Sequence, residues 1–266
     1  MTGDWWLVAG GWLLVASGWL LVVGGWLLVA GYWWPVAGGR LLGSCLLKWE
    51  LNINFALMID TIKKYFPDLS PRQISAFETM MKLYPEWNDK INVISRKDIQ
   101  NLETAHILHS LALAKYLKFS PGSTIMDFGT GGGFPGLPLA VMFPDSKFHL
   151  VDRTAKKLKV ASEIARECGL DNVSFQHGDV AECKEKFDFV VSRAVMPQGD
   201  LLKICRKNIS DDNKNALPNG LISLKGGNLN EELKSLKNIT ETLDIDTYFD
   251  EDFFKGKKIV YTPLLK

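Results

Sequence analysis

The chain has 266 residues, 47% of them apolar and 23% charged, with a net charge of +1. These values exclude a mainly disordered, collagen-like or polytopic membrane protein. The near-neutral balance means that any nucleic-acid site must be a local patch. Cys45, Cys168, Cys183 and Cys205 have no Cys-x-x-Cys spacing. They suggest neither a metal site nor a disulfide framework, and they fit reduced thiols in the cytoplasm.

The averages hide a split. Eight of the nine tryptophans and ten of the 23 glycines lie before residue 50, and Trp5 through Gly39 contains no charged residue. Trp5, Trp12, Trp19, Trp26 and Trp33 recur every seven residues in near-identical units such as Trp-Leu-Leu-Val-Ala-Ser-Gly. Three readings stand. The uncharged run exceeds the ~20 residues of a membrane helix, and Arg40 and Lys48 after it would leave the remainder in the cytoplasm. A Trp-faced coiled-coil helix is weaker, because paired glycines cost roughly 1 kcal/mol each. The third reading takes residues 1–57 as an upstream extension outside the fold, with Met58 as the natural start. The chain then reads as one domain over residues 58–266.

Residues 58–118 read as helical. Ser70-Pro71 opens a helix with Ser as cap and Pro in the first turn. Ile74, Phe77, Met80, Met81 and Tyr84 follow at helical spacing, and Pro85 through Asn88 should break or kink it. Asn101 to Leu117 is a second amphipathic helix. Residues 119–266 change to short apolar runs alternating with helices, the pattern of a mostly parallel α/β sheet. The strand candidates are Thr124–Phe128, Lys147–Val151, Val173–His177, Phe187–Ser192 and Gly220–Lys225, with helices at Lys156–Cys168 and Gly199–Asn208. Asn208–Asn219 is a polar, solvated loop. Thr242–Phe254 and Lys257–Tyr261 form a closing antiparallel pair.

Ile125 through Gly136 carries the chemistry. It closes a strand and opens a helix around a glycine loop, the context of a nucleotide site. A dinucleotide fingerprint fits badly, because its last glycine position, counted from Gly129, is Phe134. Asp127, Gly129, Gly131 and Gly133 instead give an acid at the strand end followed by alternate glycines. A carboxylate there suits a cationic or amino-bearing ligand and favours S-adenosylmethionine. Asp152 ends the next strand, where an acid binds ribose hydroxyls. It supports a nucleoside without deciding between cofactors. Either acid alone could instead cap a turn or helix.

From about Met58 onward the chain resembles the bacterial 16S ribosomal RNA (guanine-N7) methyltransferase G family, also called glucose-inhibited division protein B. The likeness rests on Trp87-Asn88 with Ile91 to Ser95, on His106 to Leu111, on Asp127 to Pro138 and on Leu150-Val151-Asp152 with Lys156-Lys157. Ser192-Arg193-Ala194 and Leu224 to Gly227 complete it. Nothing in the family matches the tryptophan repeat. The resemblance implies a Rossmann-like S-adenosylmethionine-dependent methyltransferase with a helical N-terminal portion. It implies transfer to N7 of a guanine in 16S ribosomal RNA, free or in the 30S particle, in the cytoplasm. It places Gly129, Phe134, Val180, Ala181 and Arg193 at the cofactor, with Asp152 on the ribose and Asp127 and Gly131 in the loop.

N7 already presents a lone pair, so no general base is expected. Arg193, His106 and Lys225 are the positioning candidates. Arg96, Lys97, Lys156 and Lys157 join Arg193 and Lys225 as RNA contacts. Ala105 and His109 depart from a family pattern of Arg and Asp at those positions. The alternatives are a small-molecule S-adenosylmethionine methyltransferase and a membrane-anchored nucleotide-binding module, the membrane entering only through the repeat. No metal is expected.

Overall fold

A computed structural model describes residues 13–15, 18–23, 26–29, 32–35, 59–95 and 98–264. The chain divides into two compact units, Met1–Asn54 and Phe55–Lys266. In the first, the described part of the repeat is four strands: β1 (Leu13–Val15), β2 (Gly18–Val23), β3 (Trp26–Val29) and β4 (Tyr32–Pro35). They pair antiparallel in sequence order. This replaces both helical expectations. Val15 pairs with Gly18, Val23 with Trp26 and Val29 with Tyr32, so two residues separate the paired ends each time. Trp-Leu-Leu-Val runs suit a pleated strand. The glycines of each unit weaken a helix. Among the described residues no helix is long and apolar enough to cross a membrane. The boundary expected at Met58 lies outside the described residues.

The second unit opens with α1 (Asp60–Tyr65) and α2 (Pro71–Asn88). Ser70 and Gln73 form a reciprocal capping box that starts α2, and Pro71 takes the first turn. Ala76, Phe77, Met80, Met81 and Tyr84 are its buried face. The break expected at Pro85 does not occur: α2 runs on to Asn88, and the Asp89 N–H reaches the Pro85 carbonyl at 3.2 Å. Pro85 forfeits one N–H, while Tyr84 just before it is fully buried and holds the last turn down. The next helix differs from its expected form. Leu102–Leu108 is π-helical and leads directly into α3 (His109–Tyr116). This wide turn coincides with the Ala105 carbonyl accepting from Arg193, and such turns concentrate at functional sites.

The remaining elements are β5 (Thr124–Phe128), α4 (Gly136–Met142), β6 (Lys147–Asp152), α5 (Ala155–Glu167), β7 (Val173–His177) and β8 (Phe189–Arg193). They continue with α6 (Gln198–Cys205), β9 (Gly220–Gly226), the short α7 (Asn230–Leu233), β10 (Glu241–Asp244) and β11 (Lys257–Pro263). The sheet order is β10-β11-β9-β8-β5-β6-β7. Strands β5 to β9 are mutually parallel, and β11 inserts antiparallel between β9 and β10. The chain leaves β5 toward β6 and β7, then reverses to β8. Ligands of open α/β sheets bind at the carboxyl edge at such a reversal.

Two expectations need correcting. Thr242–Phe254 is not one strand: Glu241–Asp244 is followed by 3₁₀ turns at Ile245–Thr247 and Asp252–Phe254. Those turns bury Phe249 and Phe254, with the Phe249 ring against Tyr65 of α1 at 4.7 Å. The polar loop after α6 is not simply solvated either. Asn208 and Asn219 are buried, and each side-chain amide donates to two backbone carbonyls. Asparagine there replaces missing backbone partners.

Strand alternation sets what each site residue faces. In β5, Ile125 joins the core under α2 to α5, while Met126 and Phe128 join the core on the α6 side. Asp127 shares the parity of Ile125 and is fully buried beneath α4. Its Oδ2 accepts from Thr130 Oγ1 at 2.6 Å and from the Gly136 N–H, the first of α4, at 2.8 Å. A Cβ on Gly136 would lie 2.7 Å from that oxygen, so the close approach requires glycine.

Burial outweighs these hydrogen bonds and pushes the Asp127 carboxyl up to about 7. The proton-bound form is therefore favoured by folding. Its contribution is fully present below the unfolded value of about 3.9 and is lost as pH rises through about 7. Asp127→Asn removes the titration. The thermal midpoint of the natural protein minus that of the variant should fall by several degrees between pH 5 and pH 8. A difference that stays flat across that range counts against this assignment.

Candidate functional site

The loop from Gly129 to Pro135 joins β5 to α4 and floors a cavity of about 420 Å³ at the carboxyl edge. Two glycines are forced. Gly129 has φ +69°, and a Cβ there would lie 2.8 Å from Val195 Cγ2. Gly131 has φ +57°, and a Cβ there would project into open space at the cavity it lines. Asp152 braces the loop from the end of β6. Its Oδ2 accepts from the Gly131 N–H at 2.8 Å and its Oδ1 from the Thr154 N–H at 2.7 Å. From the other side, the buried Tyr84 hydroxyl of α2 donates to the Gly132 carbonyl at 2.8 Å. Tyr84 also stacks on Phe134 at 4.6 Å.

Gly129, Gly131, Phe134, Asp152, Val180 and Arg193 border this cavity together. Two expected residues do not. Asp127 lies beneath the loop with its carboxylate engaged by Thr130 and Gly136, so its work is to hold the start of α4. Ala181 is turned to the surface, and its N–H donates to the capping Asp179 Oδ1 at 2.9 Å. Asp179 itself borders the cavity. The Ala181 N–H and the Arg153 guanidinium hold its carboxyl below the usual range. The sequence signal for Asp179 was its place just past a strand end, which alternation with Asp127 and Asp152 supplies.

A second cavity, of about 610 Å³, adjoins the first and shares Arg193 to Met196 with it. Ala105, His106, His109, Lys225, Phe253 and Lys257 line its far side. Arg193 continues the parity of Phe189 and Val191 and so leaves β8 toward the helical segment. Its Nη1 donates to the Ala105 carbonyl at 3.2 Å and its Nη2 to His106 Nδ1 at 2.9 Å. The guanidinium sits 5.0 Å from the Phe134 ring centre. Burial lowers it to about 10, which leaves it charged at neutral pH. Burial, and then Arg193, push His106 down to about 3. Burial likewise holds His109 well below the ordinary imidazole value. Both rings are neutral.

Lys225 is almost buried, and it pairs with Glu232 at 3.0 Å while donating to the Met196 carbonyl. It therefore holds the wall shared by the two cavities. That wall contains Ala194, a non-glycine residue at φ +53°, and Val195, a large apolar side chain 37% exposed. Ala194 falls in the Ser192-Arg193-Ala194 landmark of the resemblance, whereas no sequence signal marked Val195. Lys157 borders the first cavity and Lys257, which sequence reasoning missed, the second. Lys156 is exposed on α5 and borders neither. Arg96 and Lys97 lie outside the described residues.

Comparison with known proteins fits this geometry. The family model described as GidB, rRNA small subunit methyltransferase G, matches residues 73–258. A Phocaeicola vulgatus protein named ribosomal RNA small subunit methyltransferase G is 58% identical over 206 residues, covering 77% of this chain and 99% of its own length. Proteins of the same name from Porphyromonas gingivalis and Cytophaga hutchinsonii are 55% and 46% identical. These alignments cover 77% and 76% of this chain and 93% and 98% of the relatives. With the glycine loop, the acid at the end of β6 and the arginine at the end of β8 in place, the chain belongs to the rRNA small subunit methyltransferase G family and is a methyltransferase.

Proposed function

We propose that the chain transfers a methyl group from S-adenosylmethionine to N7 of a guanine in 16S ribosomal RNA, free or in the 30S particle, in the cytoplasm. The observation that carries this reading is the pair of adjoining cavities with Arg193 to Met196 as their common wall. Two reactants held on either side of one short segment meet without diffusing, which is the main service such a reaction needs.

The first cavity fits the cofactor. The space above Gly131 is space that any side chain would fill. The Asp152 carboxylate beside it suits ribose hydroxyls, and Val180 offers an apolar surface to a base. Gly129, Phe134 and Arg193 complete the set. Asp127 acts through the loop, as a positioning residue. When bound, S-adenosylmethionine supplies a methyl group on a cationic sulfur.

The second cavity fits the acceptor. Guanine N7 carries a free lone pair, so the chain need not remove a proton before transfer. The His106 ring, held down to about 3, is a weak proton acceptor and Lys225 is engaged, which agrees with that: this chain's residues hold the base in line and do not activate it. The base receives positive charge with the methyl group. That charge is relocated from sulfur to nitrogen and not created, so positioning dominates over new charge stabilisation. Residues 58–266 carry the activity. The Phocaeicola vulgatus relative is 99% covered by 206 residues of this chain, which leaves 60 of the 266 without a counterpart in it.

Two measurements test the reading on the full chain. Isothermal titration should show Asp152→Ala binding S-adenosylmethionine roughly 10–100-fold more weakly, the loss of a charged hydrogen-bond acceptor. An unchanged Kd would remove Asp152 from the cofactor site. Incubation with S-adenosylmethionine and small-subunit rRNA, followed by nucleoside mass spectrometry, should yield N7-methylguanosine. Arg193→Ala should cut kcat/KM on the order of 100-fold or more. Arg193→Lys should not restore it, since an ammonium cannot reproduce the planar fork. A folded, cofactor-binding natural protein that forms no N7-methylguanosine on rRNA or 30S particles rules the reading out.

A further inference from the structure

Arg193, Lys225 and Lys257 are the cations among the described residues that border the second cavity. Two of them are committed within the fold. Arg193 donates to the Ala105 carbonyl and to His106, and Lys225 to Glu232 and the Met196 carbonyl. Lys257 differs. Its near neighbours Lys255 and Lys258 are paired with Asp252 and Asp244, whereas among the described residues no carboxylate or carbonyl engages the Lys257 amine. The side chain is held all the same, with Nζ 5.0 Å from the ring centre of Phe253, which borders the same cavity.

The register of the sheet places this lysine relative to Arg193. Arg193 at the end of β8 pairs with Leu224 in β9, Leu224 with Ile259 in β11, and Gly226 with Lys257. Paired residues, and residues two apart on one strand, share a face of the sheet. Lys257 therefore lies on the face of Leu224, Ile259 and Arg193, the one covered by the helical N-terminal portion. Its backbone is two strand spacings from β8, roughly 10 Å. Gly226 opposite it leaves the space beside the amine open, since a Cβ there would lie 3.5 Å from Nζ. Lys257 borders the second cavity and not the first, so the wall away from the cofactor cavity carries the charge.

We propose that Lys257 holds a phosphate flanking the target guanosine in the second cavity, and so sets which way round the nucleotide enters. This rests on the rRNA-methylation reading above and adds the contact that orients the substrate. In that reading N7 meets the wall shared with the cofactor. The sugar and phosphate then lead away from that wall, toward the side where Lys257 stands. A compact ammonium with three rotatable donors suits a phosphate as a point charge. Phe253 steadies the amine without neutralising it, whereas a carboxylate like the Glu232 beside Lys225 would repel the phosphate. A nucleotide entering reversed would bring its phosphate to Arg193, whose guanidinium is already engaged, and leave Lys257 unmet. The phosphate is remote from the atom that receives the methyl group, so its contact is the same before and during transfer. Uniform binding of this kind shows in KM and not in kcat.

The test uses the full chain and Lys257→Met, which keeps an apolar stem against Phe253 and removes the charge. Lys257→Gln serves as a second neutral variant and Lys257→Arg as the one that keeps the charge. Both neutral variants should bind S-adenosylmethionine as the natural protein does. Their KM for small-subunit rRNA should rise on the order of tenfold, as for one lost charged contact, with kcat within about twofold. Binding of labelled rRNA without turnover should lose about one from its slope against log salt concentration, and Lys257→Arg should restore the slope. At least one of guanosine 3′- and 5′-monophosphate should bind the natural protein several-fold more tightly than guanosine, and that advantage should vanish in the neutral variants. An unchanged KM and salt slope in a folded, cofactor-binding neutral variant overturns the proposal. So does a loss confined to kcat, or equal binding of guanosine and both monophosphates by the natural protein. A natural protein that makes no N7-methylguanosine but keeps the Lys257-dependent slope and phosphate preference defeats the methylation reading alone.

Discussion

The Arg193 guanidinium is the constraint around which the site is organised. A charge drawn partly out of water is costly unless its donors are met. Here they are met by neutral groups: a carbonyl, an imidazole nitrogen and an aromatic face. That choice has consequences in three directions. It ties the end of β8 to the wide helical turn at Ala105. It forces the His106 tautomer, and its charge adds to burial in keeping both imidazoles neutral. It also stands between the two cavities, so whatever fixes Arg193 fixes their separation. A carboxylate partner would have satisfied the cation equally well, but it would have left His106 free to choose its tautomer.

The glycine loop depends on a parallel device. Three elements hold it: Asp127 from below, Asp152 from the neighbouring strand and Tyr84 from α2. Only the last comes from the helical N-terminal portion. That portion is therefore more than a cover on the sheet, since it carries a hydrogen bond into the loop and a ring against Phe134. Lys225 plays the same part on the opposite wall, where its ion pair with Glu232 and its bond to the Met196 carbonyl fix the segment carrying Val195.

Much of this was legible in the sequence. The parallel strands fall at or within two residues of their expected bounds, because short β-branched runs between glycine and proline punctuation leave few alternatives. Gly129, Gly131, Phe134, Asp152, Val180 and Arg193 come together as their places at strand ends predict. Asp127 shows where such reasoning stops. Its position at a strand end is plain, but which face of the sheet α4 returns to is a tertiary fact, and parity then turns the carboxylate away from the cavity. The repeat shows a second limit. A seven-residue period matches two helical turns and also a strand plus a two-residue connection, so the period alone cannot separate them. Glycine in every unit, paired in three of the five, was the chemistry that weighs against a helix.

Unpaired polar atoms are not confined to the site, and their distribution carries the last step. Asn208 Oδ1, Asn215 Nδ2 and Asn219 Oδ1 are also buried without partners. Each belongs to an amide whose other atom makes two bonds that pin a loop. None borders either cavity. There the cost is offset locally by structure. At the cavity wall several departures coincide: two imidazole nitrogens without partners, a left-handed Ala194 and an exposed Val195. Strain and unmet polarity that gather at one place, while the surrounding core is consistent, are how a fold holds stability in reserve for a ligand.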